Sequence, residues 1–269
     1  GSGVLCANAD GFVVWDLDGN ERFRGEESLN AAVLLAGGQS VVGLTGQTEV
    51  VVVGAQGERG RWPANVAGRF VEAKVAERAV LVDAGFLGFV DPASGLYEQV
   101  EPCKQAQNNH LAVALDGTGE RMAVFCQGQV LGVGRMDGSP VTFRSIGRAE
   151  AEDFPTSATW VGDHHLLVGT SKGSVFELDI EEAEGALVHR PLARTGLGYI
   201  KRIEVRDGWV LAVTVAHGAV LIDRDTGAEL LHLSFEQARS AAFDAQGRLV
   251  TLGGDGSRYT LPEDLGPVR

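Results

Sequence analysis

Six histidines, three cysteines and an excess of carboxylates are the side chains through which this chain could bind a metal or catalyse acid–base or nucleophilic chemistry. The histidines are His110, His164, His165, His189, His217 and His232, and none forms the HExxH spacing that brings two imidazoles to one ion. His164 and His165 are adjacent, so on a strand they face opposite sides and cannot share a ligand. No metal site is expected. The pairs Gly173-Ser174 and Gly256-Ser257 lack the GxSxG frame of a nucleophile elbow and read as hairpin turns. Gly132-Val133-Gly134 lies inside an apolar run and does not open a helix whose amides would cradle a phosphate. Cys103 has only Lys104 beside it to lower its pKa, and Cys6 and Cys126 sit in apolar strands where they are expected to pack as small hydrophobes. The acidic groups Glu150, Glu152, Asp153 and Glu181, Glu182, Glu184 lack calcium-loop spacing and read as solvated loops. The expectation is a protein with no catalytic residue and no cofactor, not an enzyme.

What remains is recognition. Trp62, in Arg61-Trp62-Pro63, stands at the end of an outer strand beside a loop, where an aromatic next to an arginine serves either as an interface anchor or as packing between sheets. Arg24, Arg61, Lys104, Arg148, Arg194 and Arg239 all fall near connections that lead from one repeat to the next. Two readings are open for them: solvated surface charges, or a ring able to hold an acidic peptide or a phosphate-bearing partner. The candidate partner-binding residues are Arg61, Trp62, Arg148, Arg194, Tyr199 and Lys201. The formal net charge of −13 argues against nucleic acid.

The elements that position these groups are short strands. With 37 glycines, 8 prolines and 44% hydrophobic residues in 269, the chain turns often and still has enough apolar matter for a core. One pattern returns about every 40 residues: an apolar run, a glycine-containing turn, a second apolar run, a polar corner and an outer strand of mixed polarity. Its hairpins turn at Asp10-Gly11, Thr45-Gly46, Ala84-Gly85, Gln127-Gly128, Lys172-Gly173, His217-Gly218 and Asp255-Gly256. Less regular segments with small residues, such as Ala31-Ala32 and Ala241-Ala242, suit inner strands on a crowded axis. A four-stranded sheet of this kind cannot bury both faces alone, so neighbours must stack radially. The fold expected is all-β, a β-propeller of about seven four-stranded antiparallel blades, forming a single domain over residues 4–269. Gly1-Ser2-Gly3 reads as a vector scar. The first copy begins at its second strand and the last runs out near Pro262 to Arg269.

Ala9-Asp10-Gly11 followed by Phe12-Val13-Val14-Trp15-Asp16 resembles a WD-repeat blade, and Ser171 to Asp179 is a looser copy. Ala219 to Leu230 is similar to the strand-turn-strand unit of quinoprotein-type propellers. The resemblance implies a rigid scaffold whose loops bind protein partners, working within a multi-protein complex or regulating a signalling, proteolytic or ATP-driven machine. The competing expectation is a small-ligand or enzymatic propeller that uses its central channel, for which the polar segment Gln105 to His110 speaks. A third is a regulatory portion of a longer chain. Three cysteines without CxxC spacing suit a reducing, cytoplasmic setting, and no apolar run approaches the roughly 20 residues of a membrane helix, so membrane insertion is not expected.

Overall fold

The computed structural model describes residues 3–8, 10–16, 19–35, 38–46, 49–64, 69–72, 79–82, 87–91, 96–100, 110–116, 121–126, 130–135, 142–148, 154–180, 185–186, 189–236, 238, 240–243, 247–252 and 258–260. All regular structure among them is β. The chain divides into two compact units, Gly1–Gln127 with Gly132–Arg144, and Gly128–Leu131 with Ser145–Arg269.

In the first unit β1 (Gly3–Asn8), β2 (Gly11–Asp16) and β3 (Glu21–Gly25) form one sheet, and β4 (Leu29–Leu34), β5 (Ser40–Thr45), β6 (Glu49–Gly54) and β7 (Gly57–Pro63) form the next. A third contains β8 (Arg69–Glu72), β9 (Ala79–Val82), β10 (Leu87–Asp91) and β11 (Leu96–Val100). The fourth takes in β12 (His110–Leu115), β13 (Arg121–Cys126), β14 (Val130–Arg135) and β15 (Thr142–Arg148), along the stretch of sequence where one unit gives way to the other. In the second unit β16 (Pro155–Val161), β17 (His165–Thr170) and β18 (Ser174–Asp179) are followed by the short β19 (Gly185–Ala186) and by β20 (His189–Arg194). There follow β21 (Ile200–Arg206), β22 (Trp209–Thr214), β23 (Ala219–Asp223) and β24 (Glu229–Leu233), then β25 (Ser240–Phe243), β26 (Leu249–Leu252) and β27 (Arg258–Thr260). Within a sheet the strands pair in chain order and antiparallel; β20 is the outer strand of the fifth sheet, and β19 instead adds in parallel to β15. Seven sheets result, five of them with four or more described strands, and the first and last with three. Among the described residues β1 is the edge of the first sheet.

The stacking that the repeat requires is visible strand by strand. In β6, Val51 and Val53 join Phe12, Val14 and Phe23 of the first sheet, whereas Val50 and Val52 join Ala79, Leu81 and Val90 of the third. In β22, Val210 and Ala212 pack toward Leu167 and Ile203, while Leu211 and Val213 pack toward Ala241 and Leu249. Alternate side chains point to opposite faces, and here both faces are core. Each such valine or leucine contributes about 1.5–3 kcal/mol on full burial. The outer β7 alternates between exposed and half-buried positions, as expected where one face meets water.

Two irregularities repeat with the sheets. Inner strands carry one extra residue near their start, at Asn30, Leu111, Thr156 and Lys201, and outer strands carry one at Arg22, Arg59, Leu192 and Leu230. These bulges coil each sheet at the same two places. Threonine closes the second strand in three of them: Thr45, Thr170 and Thr214 are buried, and their hydroxyls accept the turn amides of Glu49, Ser174 and His217.

Two local expectations change. His164 lies in the turn before β17, so it and His165 are not both strand residues. Cys6 is exposed on β1, which among the described residues is the edge strand of its sheet. The turns at 84–85, 127–128 and 255–256, Cys103, Lys104, Gln105 to Asn109, Arg239, both acidic runs and the C-terminal residues 261–269 lie outside the described residues.

Glycine is required where a hairpin turn meets the outgoing end of its own sheet. Gly218 has φ +92 and a Cβ there would collide with the Leu233 carbonyl, whereas Gly208, at φ +83, has nothing within 4 Å. Gly208→Ala is expected to cost about 1 kcal/mol for its backbone alone, and Gly218→Ala at least about 2 kcal/mol. Urea unfolding of the two variants checks this; equal losses would mean that the turn does not touch β24.

Candidate functional site

Three polar or exposed constellations stand out among the described residues. The first surrounds Arg61. Its Nη1 donates to Glu49 Oε2 at 2.8 Å, its Nη2 to Glu58 Oε2 at 2.7 Å and also to Glu27, and its Nε to Glu58 Oε1 at 3.2 Å. Hydrogen bonds to Glu58, Glu49 and Glu27 hold the guanidinium well above its usual pKa. One cation within three carboxylates leaves a local charge of about −2 by simple counting. Beside it Trp62 is half-buried, packs on the core shared by the second and third sheets, and lies over Gly60, whose missing side chain makes room for the indole.

The second constellation centres on Glu177, a carboxylate only 8% exposed on β18. Arg190, directly opposite on β20, donates to Oε2 at 2.7 Å; Arg224, from the corner after β23, donates to Oε1; His165 Nδ1 lies 3.8 Å from Oε1. Burial opposes ionisation of Glu177, but the hydrogen bonds from Arg224 and Arg190 outweigh it and its pKa is lowered. Arg190 also donates to the Arg224 carbonyl, so the cluster ties the fifth sheet to the sixth. A similar tie runs from β21 to β25: Arg202 donates to the Ala241 carbonyl, and Glu204 Oε2 accepts the Phe243 amide at 3.0 Å. These charges hold one sheet against the next.

The third constellation lies at one end of the second unit, where inner strands begin, second strands end and outer strands end. The loop Thr195 to Tyr199 leads from β20 into β21, and Thr195 is held by its amide and hydroxyl on the Gly173 carbonyl at 2.9 and 3.0 Å. Ser171 N donates to the Phe154 carbonyl at 3.0 Å, and Val215 N to the Tyr199 carbonyl at 3.1 Å, the same contact in two successive sheets. Thr156 Oγ1 donates to the Ile200 carbonyl at 2.7 Å and so fixes the start of β16 beside the start of β21. This lattice of backbone bonds leaves three side chains outside: Phe154 is 56% exposed, Tyr199 47% and Val215 52%. Around them Lys172, Arg194 and Lys201 are exposed, against the exposed acid Glu236 at the same end. Lys201 is exposed as a residue, yet burial on one side of its ammonium, with Arg202 adjacent, lowers its pKa.

The residues proposed from sequence therefore separate. Arg194, Tyr199 and Lys201 share one loop and strand start in the second unit. Arg61 and Trp62 belong to the first unit, the one ion-paired and the other half-buried. Arg148 closes β15, and only its backbone is described. Phe154 and Val215 escaped sequence reasoning; the signal for them was an apolar residue next to a strand end, outside the alternation of the strand itself. Among the described residues no three His, Cys, Asp or Glu side chains are placed to hold a metal, and no helix is long and apolar enough to cross a membrane.

Sheets of this kind, stacked face to face in chain order, define a β-propeller. No family model and no curated protein matches the sequence. Among solved structures, the β-propeller domain of Cps50 (Swd1) from Myceliophteria thermophila is similar with a TM-score of 0.69 at 11% identity, over 97% of this chain and 94% of that one. At that identity the likeness is one of fold.

Glu177→Gln tests the second constellation. A carboxylate whose folded pKa lies below its unfolded value stabilises the protein above the unfolded pKa, and that contribution is lost as pH falls through the folded pKa. The variant is expected to lose about 2 kcal/mol at pH 7 and to approach the parent below about pH 4. Denaturant midpoints across pH 3–8 read this directly, and a pH-independent difference would show that the charge is not what stabilises.

Proposed function

We propose that this chain is a non-catalytic recognition module that binds a protein partner through the end of the second unit carrying Phe154, Tyr199 and Val215. The observation that supports it most is that the three large hydrophobic side chains exposed among the described residues all stand at that one end. Exposing an aromatic costs stability that burial elsewhere would recover, and apolar patches rimmed by polar groups are the usual form of a contact surface. Arg194 and Lys201, with Lys172, supply such a rim. A propeller suits the task because its strands are committed to internal packing and its turns are free to vary. The scaffold or regulatory role within a larger machine, and a cytoplasmic setting, belong to the same reading. Arg61 and Trp62 are assigned to internal support, since Arg61 is enclosed by Glu27, Glu49 and Glu58 and Trp62 packs on the core of the second and third sheets.

A photo-crosslinking amino acid placed at Val215 in the native cell is expected to capture a partner, and one placed at Asp163, at the opposite end of the same unit, is expected not to. Phe154→Ser combined with Tyr199→Ser should lower capture by at least about tenfold with the melting temperature within about 2 °C of the parent, because neither side chain is buried. Equal capture from both positions, or capture indifferent to the double substitution, would remove this face from consideration.

A further inference from the structure

We propose that β1 is a second docking surface, at whose edge an extended segment of a partner protein adds as the innermost strand of the first sheet, antiparallel to β1. The place of β1 in its sheet follows from residues it shares with other sheets. Asp16, Asp179 and Asp223 each end a third strand, and their partners Gly3, His165 and Trp209 each begin a second one. Gly11 agrees with this match: a Cβ there would collide with the Gly25 carbonyl at the end of β3, as one at Gly218 would with the Leu233 carbonyl at the end of β24. Cys6 therefore stands where β17 has Val168 and β22 has Ala212, and Leu5 and Ala7 stand where β22 has Leu211 and Val213. Val168, Leu211, Ala212 and Val213 are all 0% exposed. Cys6 and Ala7 are exposed, and Leu5 is half-buried. The difference lies on one side: β17 and β22 are flanked by the inner strands β16 and β21, whereas no described strand lies beyond β1.

An edge of this kind invites another strand unless charge, proline or a bulge prevents it. The outer edges of the same unit carry those devices: β3 has Glu21, Arg22 and Arg24 with a bulge at Arg22, and β7 has Glu58, Arg59, Arg61 and Pro63 with a bulge at Arg59. β1 reads Gly3-Val4-Leu5-Cys6-Ala7-Asn8, without charge or proline, and pairs with β2 without a register shift. What would fit it is written in the other sheets. After the bulge near their start, inner strands run Ala31-Ala32-Val33-Leu34, Ala112-Val113-Ala114-Leu115 and Ser157-Ala158-Thr159-Trp160. Small residues come first, where successive inner strands approach, as the Thr156 to Ile200 bond shows, and a large apolar one comes last. In the sixth sheet Arg202 and Glu204 take two of these places, and both are tied to β25. The partner segment is thus small, small or branched, variable, then large and apolar, its first residue opposite Ala7 and its last opposite Val4. A second copy of β1 would put Val4 in the small place and Ala7 in the large one. The C-terminal residues 261–269 include Pro262 and Pro267, which have no N–H for a ladder. The occupant that fits is therefore a strand of another protein, held by main-chain hydrogen bonds and selected by its side chains.

The test adds to the intact chain a synthetic peptide copying Ser28 to Leu35, with lysines appended for solubility. Amide hydrogen exchange of β1 and alkylation of Cys6 by N-ethylmaleimide, located by mass spectrometry, are the readouts. Saturating peptide is expected to slow both by at least about tenfold. The same peptide with its Ala31 and Leu34 residues interchanged should bind about tenfold more weakly, and one with proline in place of both Ala32 and Val33 should not bind. In the native cell, a photo-crosslinking amino acid at Ala7 should join this chain to a different protein, within a segment of the stated pattern. Cys6 unreactive before peptide is added, protection indifferent to the interchange and the prolines, or crosslinks to a second copy or to this chain's own residues overturn the proposal. Phe154→Ser with Tyr199→Ser leaves the protection of β1 unchanged, so this proposal and the recognition surface of the second unit fail separately.

Discussion

The structure depends on burial of both faces of its middle strands. A strand such as β6 or β22 sends alternate side chains into two different cores, so neither sheet on its flanks is stable without the other. The sequence consequence is an apolar run without polar alternation, Val50-Val51-Val52-Val53 or Val210-Leu211-Ala212-Val213. The energetic consequence is that these strands have no free side chain to offer a ligand. Inner strands are held by polar ties instead: Thr156 to the Ile200 carbonyl, Arg202 to the Ala241 carbonyl, Glu204 to the Phe243 amide. Thr156 and Glu204 are satisfied there by neighbouring backbone, whereas Arg202 Nε, buried, has only the ion pair with Glu204 Oε1 at 3.3 Å.

With faces and inner edges committed, variation is confined to ends, and the repeated backbone makes this variation easy to compare. Thr45, Thr170 and Thr214 do the same work at the ends of β5, β17 and β22, yet the amides they accept belong to Glu49, Ser174 and His217. The bulge near the start of the inner strands is Asn30 in one sheet, Thr156 in another and Lys201 in a third. The same geometry therefore presents an ion-paired cluster around Arg61 in the first unit and exposed apolar side chains around Tyr199 in the second. Conformation is supplied by the repeat, and chemistry by what each copy places on it.

The sheets were legible because their signals are local and repeated: seven hairpins, each with a turn residue at its centre, and outer strands of mixed polarity. The inner Ala31-Ala32 and Ala241-Ala242 also fell where expected, in β4 and β25. What could not be read were features set by contacts between residues far apart in sequence. Nothing near Arg61 announces that Glu27, 34 residues away, shares its guanidinium. The Glu177, Arg190 and Arg224 cluster likewise joins residues up to 47 apart. Cys6 looked like a core residue because its neighbours are apolar, and only the strand order reveals that β1 is an edge. Asp207 and Gly208, with φ 49 and 83, form the two-residue turn between β21 and β22, for which Asp-Gly is the strongest short-range cue.

Net charge illustrates the same division between local and global. A total of −13 bears on long-range approach, since it acts on any partner before contact. At physiological ionic strength, however, screening falls over about 8 Å, so a bound carboxylate responds mainly to the charges within a side chain's reach. The carboxylates Glu27, Glu49 and Glu58, for example, answer mainly to the Arg61 guanidinium they share. The whole chain's charge therefore discourages nucleic acid at a distance without deciding what one end can hold at contact.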